Sequence, residues 1–248
     1  MDEKKNFFTI NSVLLVVLAA LFVYNQNLIG SLQKELGVKN VSFAAVANSV
    51  FSRAGDKLAN SSGLTGDLTQ DAVKLVVQKG IPEKYGEKLG VSFDQVVTSM
   101  DIMKEFDPTY GKEKIALAGN DLQRYIDIAL KISCEFCCGA PAIIDKTGAA
   151  ACGCAHSQAM RGLAAYLIKN YGQDYTNDQI LRELARWKGA FFPKGMAKKV
   201  STQLSQGNFT PDVSALILDI KLPVYEKGTQ SSPANTDVNN LPGAVGGC

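Results

Sequence analysis

The sequence lacks several features that nucleic-acid-binding proteins and hydrolytic enzymes share. The formal net charge is only +2 and there is no block rich in lysine and arginine, so electrostatics gives no reason to expect a nucleic-acid partner. The single histidine, His156, excludes a metal centre built from several histidines. No P-loop, nucleophile elbow or zinc-protease motif is present. The sequence therefore gives no support for hydrolysis and does not indicate an enzyme.

Charged residues are absent from Asn6 to Gln33, and this window contains an unbroken apolar run from Val13 to Tyr24. A helix rises about 1.5 Å per residue, so roughly 20 residues cross a hydrocarbon core of about 30 Å. The window predicts a transmembrane helix at 7–29. No small-x-small cleavage site and no lipobox cysteine follow it, which favours an uncleaved anchor over a cleaved signal peptide.

Lysines flank the predicted span on both sides, with Lys4 and Lys5 before it and Lys34 and Lys39 after it. The positive charges on the two sides are nearly equal, so the positive-inside rule alone does not decide the orientation. The very short N-terminal segment favours a cytoplasmic N-terminus. The sequence then predicts a single-pass protein of the cell membrane with an extracytoplasmic domain. Its expected partner is the membrane, through the N-terminal helix, and a protein partner stays open. The predicted organisation is a tail at 1–6, an anchor at 7–29, a stalk at 30–66, a helical domain at 67–222 and a flexible tail at 223–248.

Apolar residues spaced three and four apart predict helices along the domain. Thr69 is placed to cap the first of these helices, and a later helix starts near Ser157. Thr176 with Gln179 forms a capping-box pattern. Between Cys138 and Cys152 the pattern changes to a short apolar run, a Gly-containing turn and a run of alanines, which predicts a β-hairpin. The expected fold class is mainly α, a helical domain with one short β-hairpin carrying a cysteine cluster, plus an N-terminal transmembrane helix.

Five of the six cysteines lie between positions 134 and 154, and the only histidine follows two residues later. A Cys-x-x-Cys after a helix lets two thiolates turn toward one ion, and residues i and i+2 of a strand face the same side. The hairpin would bring both pairs together. The first-choice metal ligands are Cys134, Cys137, Cys152 and Cys154, with Cys138 and His156 as alternates or outer members of the site.

Zinc suits such a site best, and copper(I) or an iron–sulfur cluster are the alternatives. The start of the helix near Ser157, together with Arg161, is expected to stabilise thiolate charge. Two other interpretations remain open. The cysteines could pair as a disulfide scaffold, as exported domains often do, or they could act as a redox dithiol. Cys248 ends the chain, and the preceding tail is long enough to reach the cluster.

The segments Cys134-Glu-Phe-Cys137-Cys138-Gly139 and Ala151-Cys152-Gly153-Cys154-Ala155-His156-Ser157 resemble those of uncharacterised membrane-anchored proteins of archaea and candidate bacterial phyla. The Cys152-Gly153-Cys154 triplet is also similar to the end of the motif in the bacterial Pro-Cys-Tyr-Cys-Gly-Cys surface lipoproteins. The preceding Pro-Cys-Tyr and a lipid-modified cysteine are absent here. The resemblance implies extracytoplasmic metal handling and supplies no activity.

The sequence thus predicts a membrane-anchored metal-binding protein with a Cys-rich site, serving either structural zinc or metal handling. The alternatives are a membrane-tethered thiol–disulfide redox protein and a disulfide- or zinc-stabilised interaction module.

Overall fold

The computed structural model describes residues 63–225 and 236–247, and this part of the chain is mainly helical. Its helices, numbered in chain order, are α1 Leu68–Val76, α2 Gly86–Leu89, α3 Val96–Lys104, α4 Gly119–Ala129, α5 Ala155–Tyr171, α6 Asn177–Phe191, α7 Pro193–Gln206, α8 Pro211–Leu216 and α9 Thr236–Asn240.

Local side-chain chemistry fixes where several helices begin. The capping box predicted at α6 is confirmed: Thr176 accepts from the backbone N–H of Gln179, whose side chain accepts from the backbone N–H of Thr176. At α1 the predicted cap was wrong. The Asp67 carboxylate, not Thr69, accepts from the first backbone N–H groups, and a carboxylate there also interacts favourably with the helix dipole.

Two long helices, α5 and α6, form the centre of the domain. Helix α5 packs against α3, α4 and α6, and α6 also contacts α1, α7 and α8. Burial continues around most of α5, and its apolar side chains at Met160, Leu163, Leu167 and Ile168 are all buried, as the sequence predicted. A helix that is buried on nearly all sides is held in one position by its neighbours. It therefore supplies a rigid base for the residues at its N-terminus.

The predicted β-hairpin between Cys138 and Cys152 is wrong. Within 63–225 and 236–247 no residue is in a β-strand, and this loop has only one isolated bridge, between Ile144 and Ala150. The ladder stops there because the Ile143 N–H donates to Ile132 in another segment. At the turn, the Asp145 carboxylate accepts from the Thr147 N–H and hydroxyl and from the Ala149 N–H. These hydrogen bonds form a tight turn that is not flanked by β-strands.

The membrane assignment is also corrected. The predicted anchor at 7–29 and most of the predicted stalk at 30–66 lie outside the described residues. Among the helices that are described, none is both long and apolar enough to cross a bilayer. The longest, α5, has 17 residues and carries Arg161 and Lys169, whereas a span needs about 20 predominantly apolar residues. The single-pass, cell-membrane and extracytoplasmic predictions, with the membrane as partner, are therefore withdrawn.

The C-terminal segment 236–247 packs against the domain. After α9, the Lys194 N–H donates to the Pro242 carbonyl at 3.1 Å, and the Val245 N–H donates to the Phe191 carbonyl at 2.8 Å. Val238 is buried. This segment lies inside the range that the composition predicted as a flexible tail. Its contacts place it beside the N-terminal end of α5.

Candidate metal centre

A tight turn after α4 positions the first two cysteines of the cluster. The carbonyl of Cys134 accepts from the backbone N–H groups of Cys137 and Cys138 at 3.1 and 3.4 Å. Because the turn closes on Cys134, Cys137 returns to the neighbourhood of Cys134, while Cys138 is exposed. Cys134 itself is fully buried in the apolar core.

Helix α5 positions the other members. Cys154 is its N-cap, and the Cys154 Sγ accepts from the backbone N–H of Ser157 at 3.4 Å. His156 lies in the first turn and is buried against the rings of Phe191 and Phe192, with centroids 5.1 and 4.6 Å apart. The sulfur of Cys154 and the imidazole therefore project from the start of one rigid helix.

Four potential ligand atoms converge at this point, and we call Cys134, Cys137, Cys154 and His156 the inner group. One ligand atom from each residue lies within 4.8 Å of all the others. The Sγ atoms of Cys134 and Cys154 are 3.7 Å apart. Two sulfurs on a tetrahedral zinc ion, each about 2.3 Å from the metal, are separated by about 3.8 Å. The inner group could hold a metal ion.

A second set, the outer group, consists of Cys138, Cys152 and Cys154, whose sulfurs also lie within 4.8 Å of one another. The structure thus divides the predicted ligands differently from the sequence. Cys152, a first-choice ligand, lies with the exposed Cys138, whereas the alternate His156 lies with the buried Cys134 and the partly buried Cys137 and Cys154. Cys154 belongs to both groups and connects them.

The contact between the sulfurs of Cys134 and Cys154 favours the thiolate form of Cys154. Contact with Cys134 lowers the pKa of the Cys154 thiol, as do His156 and Ser157. The same contact with Cys154, together with burial, raises the pKa of Cys134. Burial opposes protonation of His156, but its contacts with the Cys154 sulfur and the Val245 carbonyl leave its pKa raised. The site therefore gathers negative charge at Cys154, next to a helix N-terminus that favours it.

Arg161 does not serve the thiolates, contrary to the sequence-based expectation. Its guanidinium is buried and binds both Asp107 oxygens, at 3.0 and 2.6 Å, together with the carbonyls of Ile143 and Cys152. Two N–H groups of the planar guanidinium each donate to one carboxylate oxygen, which makes this a bidentate ion pair. Arg161 therefore fixes the backbone on both sides of the loop that leads into Cys152, and acts on the site through that backbone.

Sequence reasoning missed one contact at the site. The backbone carbonyl of Val245 lies 2.9 Å from His156 Nε2. A carbonyl only accepts, so Nε2 carries the proton in the neutral ring and Nδ1 keeps the lone pair. Metal-bound histidines are commonly oriented by such a second bond. No sequence signal pointed to Val245, because the contact joins positions 89 residues apart.

The cysteines differ in their oxidation state. Cys137 is disulfide-bonded, whereas Cys134, Cys138, Cys152 and Cys154 are free thiols. A disulfide sulfur is a poor metal ligand because metals bind the thiolate. The inner group therefore offers four ligands only after Cys137 is reduced.

Comparison of the chain with protein-family models, with curated proteins and with solved structures finds no match. The functional argument therefore depends on the geometry of the site.

Proposed function

We propose that this chain is a metal-binding protein whose inner group, in its reduced form, binds one zinc ion. The observation that carries the proposal is the convergence of Cys134, Cys137, Cys154 and His156, whose ligand atoms come from two segments of the chain and lie within 4.8 Å of one another. Three thiolates and one imidazole are a donor set that zinc commonly uses in four-coordinate sites.

Burial favours a structural ion over a catalytic one. Cys134 and His156 are both fully buried, and four protein ligands leave no position for a substrate or water. The ion would tie the turn after α4 to the start of α5. Copper(I) is the alternative metal, because its preference for soft sulfur ligands also fits this cluster.

The test uses full-length protein, reduced and purified without oxygen. Elemental analysis should find about one zinc per chain, and Co²⁺ in its place should give the absorption of a tetrahedral site with thiolate charge-transfer bands. Cys134→Ser should weaken binding by at least tenfold. Cys138→Ser, which removes a neighbouring thiol outside the inner group, should retain one ion.

Two results would contradict the proposal. One is reduced protein that retains no metal and shows no Co²⁺ thiolate bands. The other is equal loss of binding in both variants, since the ion would then depend on Cys138, which lies outside the inner group.

A thiol–disulfide function is the second candidate, and the outer group favours it. Cys138 is exposed and lies within 4.8 Å of Cys152 and Cys154, close enough for these sulfurs to exchange partners. The pKa of Cys152 is nevertheless raised to about 11, first by burial and then by its contact with Cys138. A thiol that is mostly protonated at neutral pH attacks disulfides slowly, so this function ranks second.

A further inference from the structure

The cysteines of the two groups differ in their access to solvent. Cys134 and His156, two of the four inner ligands, are fully buried, so an ion from solution needs a route to them. Cys138 is exposed, and Cys152 and Cys154 are half-buried. Exposure therefore decreases from the outer group to the inner group. The three outer cysteines are also free thiols, so they can bind an ion without prior reduction.

Two glycines border the outer group and leave the backbone beside its sulfurs open. Gly139 follows Cys138, and Gly153 separates Cys152 from Cys154. Both glycines are exposed, and a Cβ built on either would meet no atom of another described residue within 4 Å, apart from its chain neighbours. Gly139 also has φ of +66°, a conformation that side chains disfavour. An ion in water can therefore approach the outer sulfurs at these positions.

Cys154 connects the outer group to the inner group. Its sulfur lies within 4.8 Å of a ligand atom of every other member of both groups, and it is 3.7 Å from the Cys134 sulfur. The backbone N–H of Ser157 donates to the Cys154 sulfur at 3.4 Å, which holds this sulfur at the start of α5. A thiolate held in this way can stay bound to an ion while the other ligands are exchanged.

We propose that zinc enters through the outer group and passes to the inner group while it stays bound to Cys154. The proposal rests on the proposed function, because the inner group is the final site of the ion. Cys138, Cys152 and Cys154 supply three thiolates, and water takes the fourth position of a tetrahedral zinc ion. One inner ligand replaces this water, and the other two inner ligands then replace Cys138 and Cys152.

The transfer balances in protons and in ligands. A thiol that binds the ion loses its proton, and a thiolate that leaves the ion regains one. Cys138 and Cys152 take up two protons while Cys134 and Cys137 release two, and His156 binds as a neutral imidazole. One water leaves the ion, and zinc keeps its charge of +2. Once Cys137 is reduced, the transfer therefore needs no oxidant, reductant or other reactant.

The rates of metal binding and release test this route. Metal-free, reduced full-length protein is mixed rapidly with Co²⁺ without oxygen, and thiolate charge-transfer absorption reports binding and its loss in excess chelator. Cys138→Ser and Cys152→Ser should each slow binding and release by about tenfold, so that the affinity, which is the ratio of the two rates, stays within about twofold. The matched control, Ala151→Ser, adds a serine beside Cys152 and keeps every thiol, and it should change neither rate.

Cys134→Ser separates capture from transfer. It breaks the inner group and keeps the outer group, so the Co²⁺ bands should appear at the wild-type rate, whereas release to chelator should be about tenfold faster. Wild-type rates in both Cys138→Ser and Cys152→Ser overturn the route through the outer group and leave the proposed function standing. Loss of affinity in Cys138→Ser equal to that in Cys134→Ser, or no binding by the wild type, overturns the proposed function and the route with it.

Discussion

The buried ion pair between Arg161 and Asp107 links the core to the approach of the cysteine cluster. Neither side chain has any exposed surface, and the closest N–O distance is 2.6 Å. Arg161 also donates to the Ile143 and Cys152 carbonyls, which come just before and just after the bridged loop. A buried charge pair of this kind adds little stability compared with apolar residues, but removal of one partner leaves an uncompensated charge.

Asp107→Asn should therefore destabilise the domain by about 3–5 kcal/mol, because the guanidinium stays buried and loses its counter-charge. Urea unfolding at neutral pH measures the change. The matched control is Asp101→Asn, which breaks a pair with Lys104 at the same 2.6 Å distance but on the surface and should cost under about 1 kcal/mol. Equal effects of the two variants would show that Arg161 reaches water in the folded state.

At the level of helices, a glycine makes the close crossing of α5 over α3 possible. A Cβ built on Gly162 would lie 1.9 Å from the Met103 carbonyl oxygen and 3.1 Å from the Asp107 nitrogen. Both obstructing atoms belong to the backbone, so no side-chain rotation relieves the clash. The crossing also holds α5 in the position that presents Cys154 and His156.

Gly162→Ala should consequently force α3 and α5 apart and destabilise the fold by about 3 kcal/mol or more, at the upper end of the range for overpacked cores. In a helix, alanine is more favourable than glycine by about 1 kcal/mol. A net loss of stability in Gly162→Ala would therefore identify the clash as the stronger effect. Thermal unfolding measures it. Gly243→Ala, where nothing lies within 4 Å of the added Cβ, should change stability by less than about 1 kcal/mol.

The helices show which elements the sequence could predict. The capping box at Thr176 and the apolar spacing of α5 depend on residues within a few positions of each other, and both are confirmed. The hairpin prediction failed because the Ile143 N–H bonds to Ile132 instead of a facing strand. The hydrogen-bond partner of the Ile143 N–H depends on how the segment after α4 packs, and the local spacing of apolar residues does not predict that packing.

The site follows the same division between local and long-range information. Clustering in the sequence identified the six residues, Cys134, Cys137, Cys138, Cys152, Cys154 and His156, and the structure brings them into two overlapping groups. The assignment of His156 to the inner group follows from the position of α5 relative to the turn at Cys134. The approach of Val245 depends on how the C-terminal segment packs, and composition alone predicted that segment to be flexible.

At the scale of the whole molecule, one charge network joins four separate segments. Asp212 in α8 accepts from Lys188 of α6 at 2.7 Å and from Lys199 of α7 at 2.9 Å. Both lysines also contact Glu135, at 3.2 and 2.8 Å, in the turn between Cys134 and Cys137. Burial raises the pKa of Asp212, but Lys188 and then Thr210 and Lys199 outweigh burial and lower it to about 2.

This lowered pKa predicts a defined loss of stability in acid. The unfolded chain holds the proton of an aspartate with a pKa of about 3.9, so between about pH 4 and pH 2 the unfolded state binds more protons than the folded state. The contribution of Asp212 is fully present above about pH 4 and disappears as the pH falls through 2. Its size is of the order of 2 kcal/mol.

Urea unfolding of metal-free protein at half-unit steps from pH 5 to pH 2 should show this loss of stability, and chelator in all samples keeps metal release out of the curve. In Asp212→Asn the free energy of unfolding is lower at pH 5 and falls less steeply toward pH 2, and because the pair is buried this difference in slope should persist at high salt. Parallel curves for the two proteins would mean that Asp212 titrates alike in the folded and unfolded chain, and the network would then be no more than a surface contact between the cysteine turn and the helices behind it.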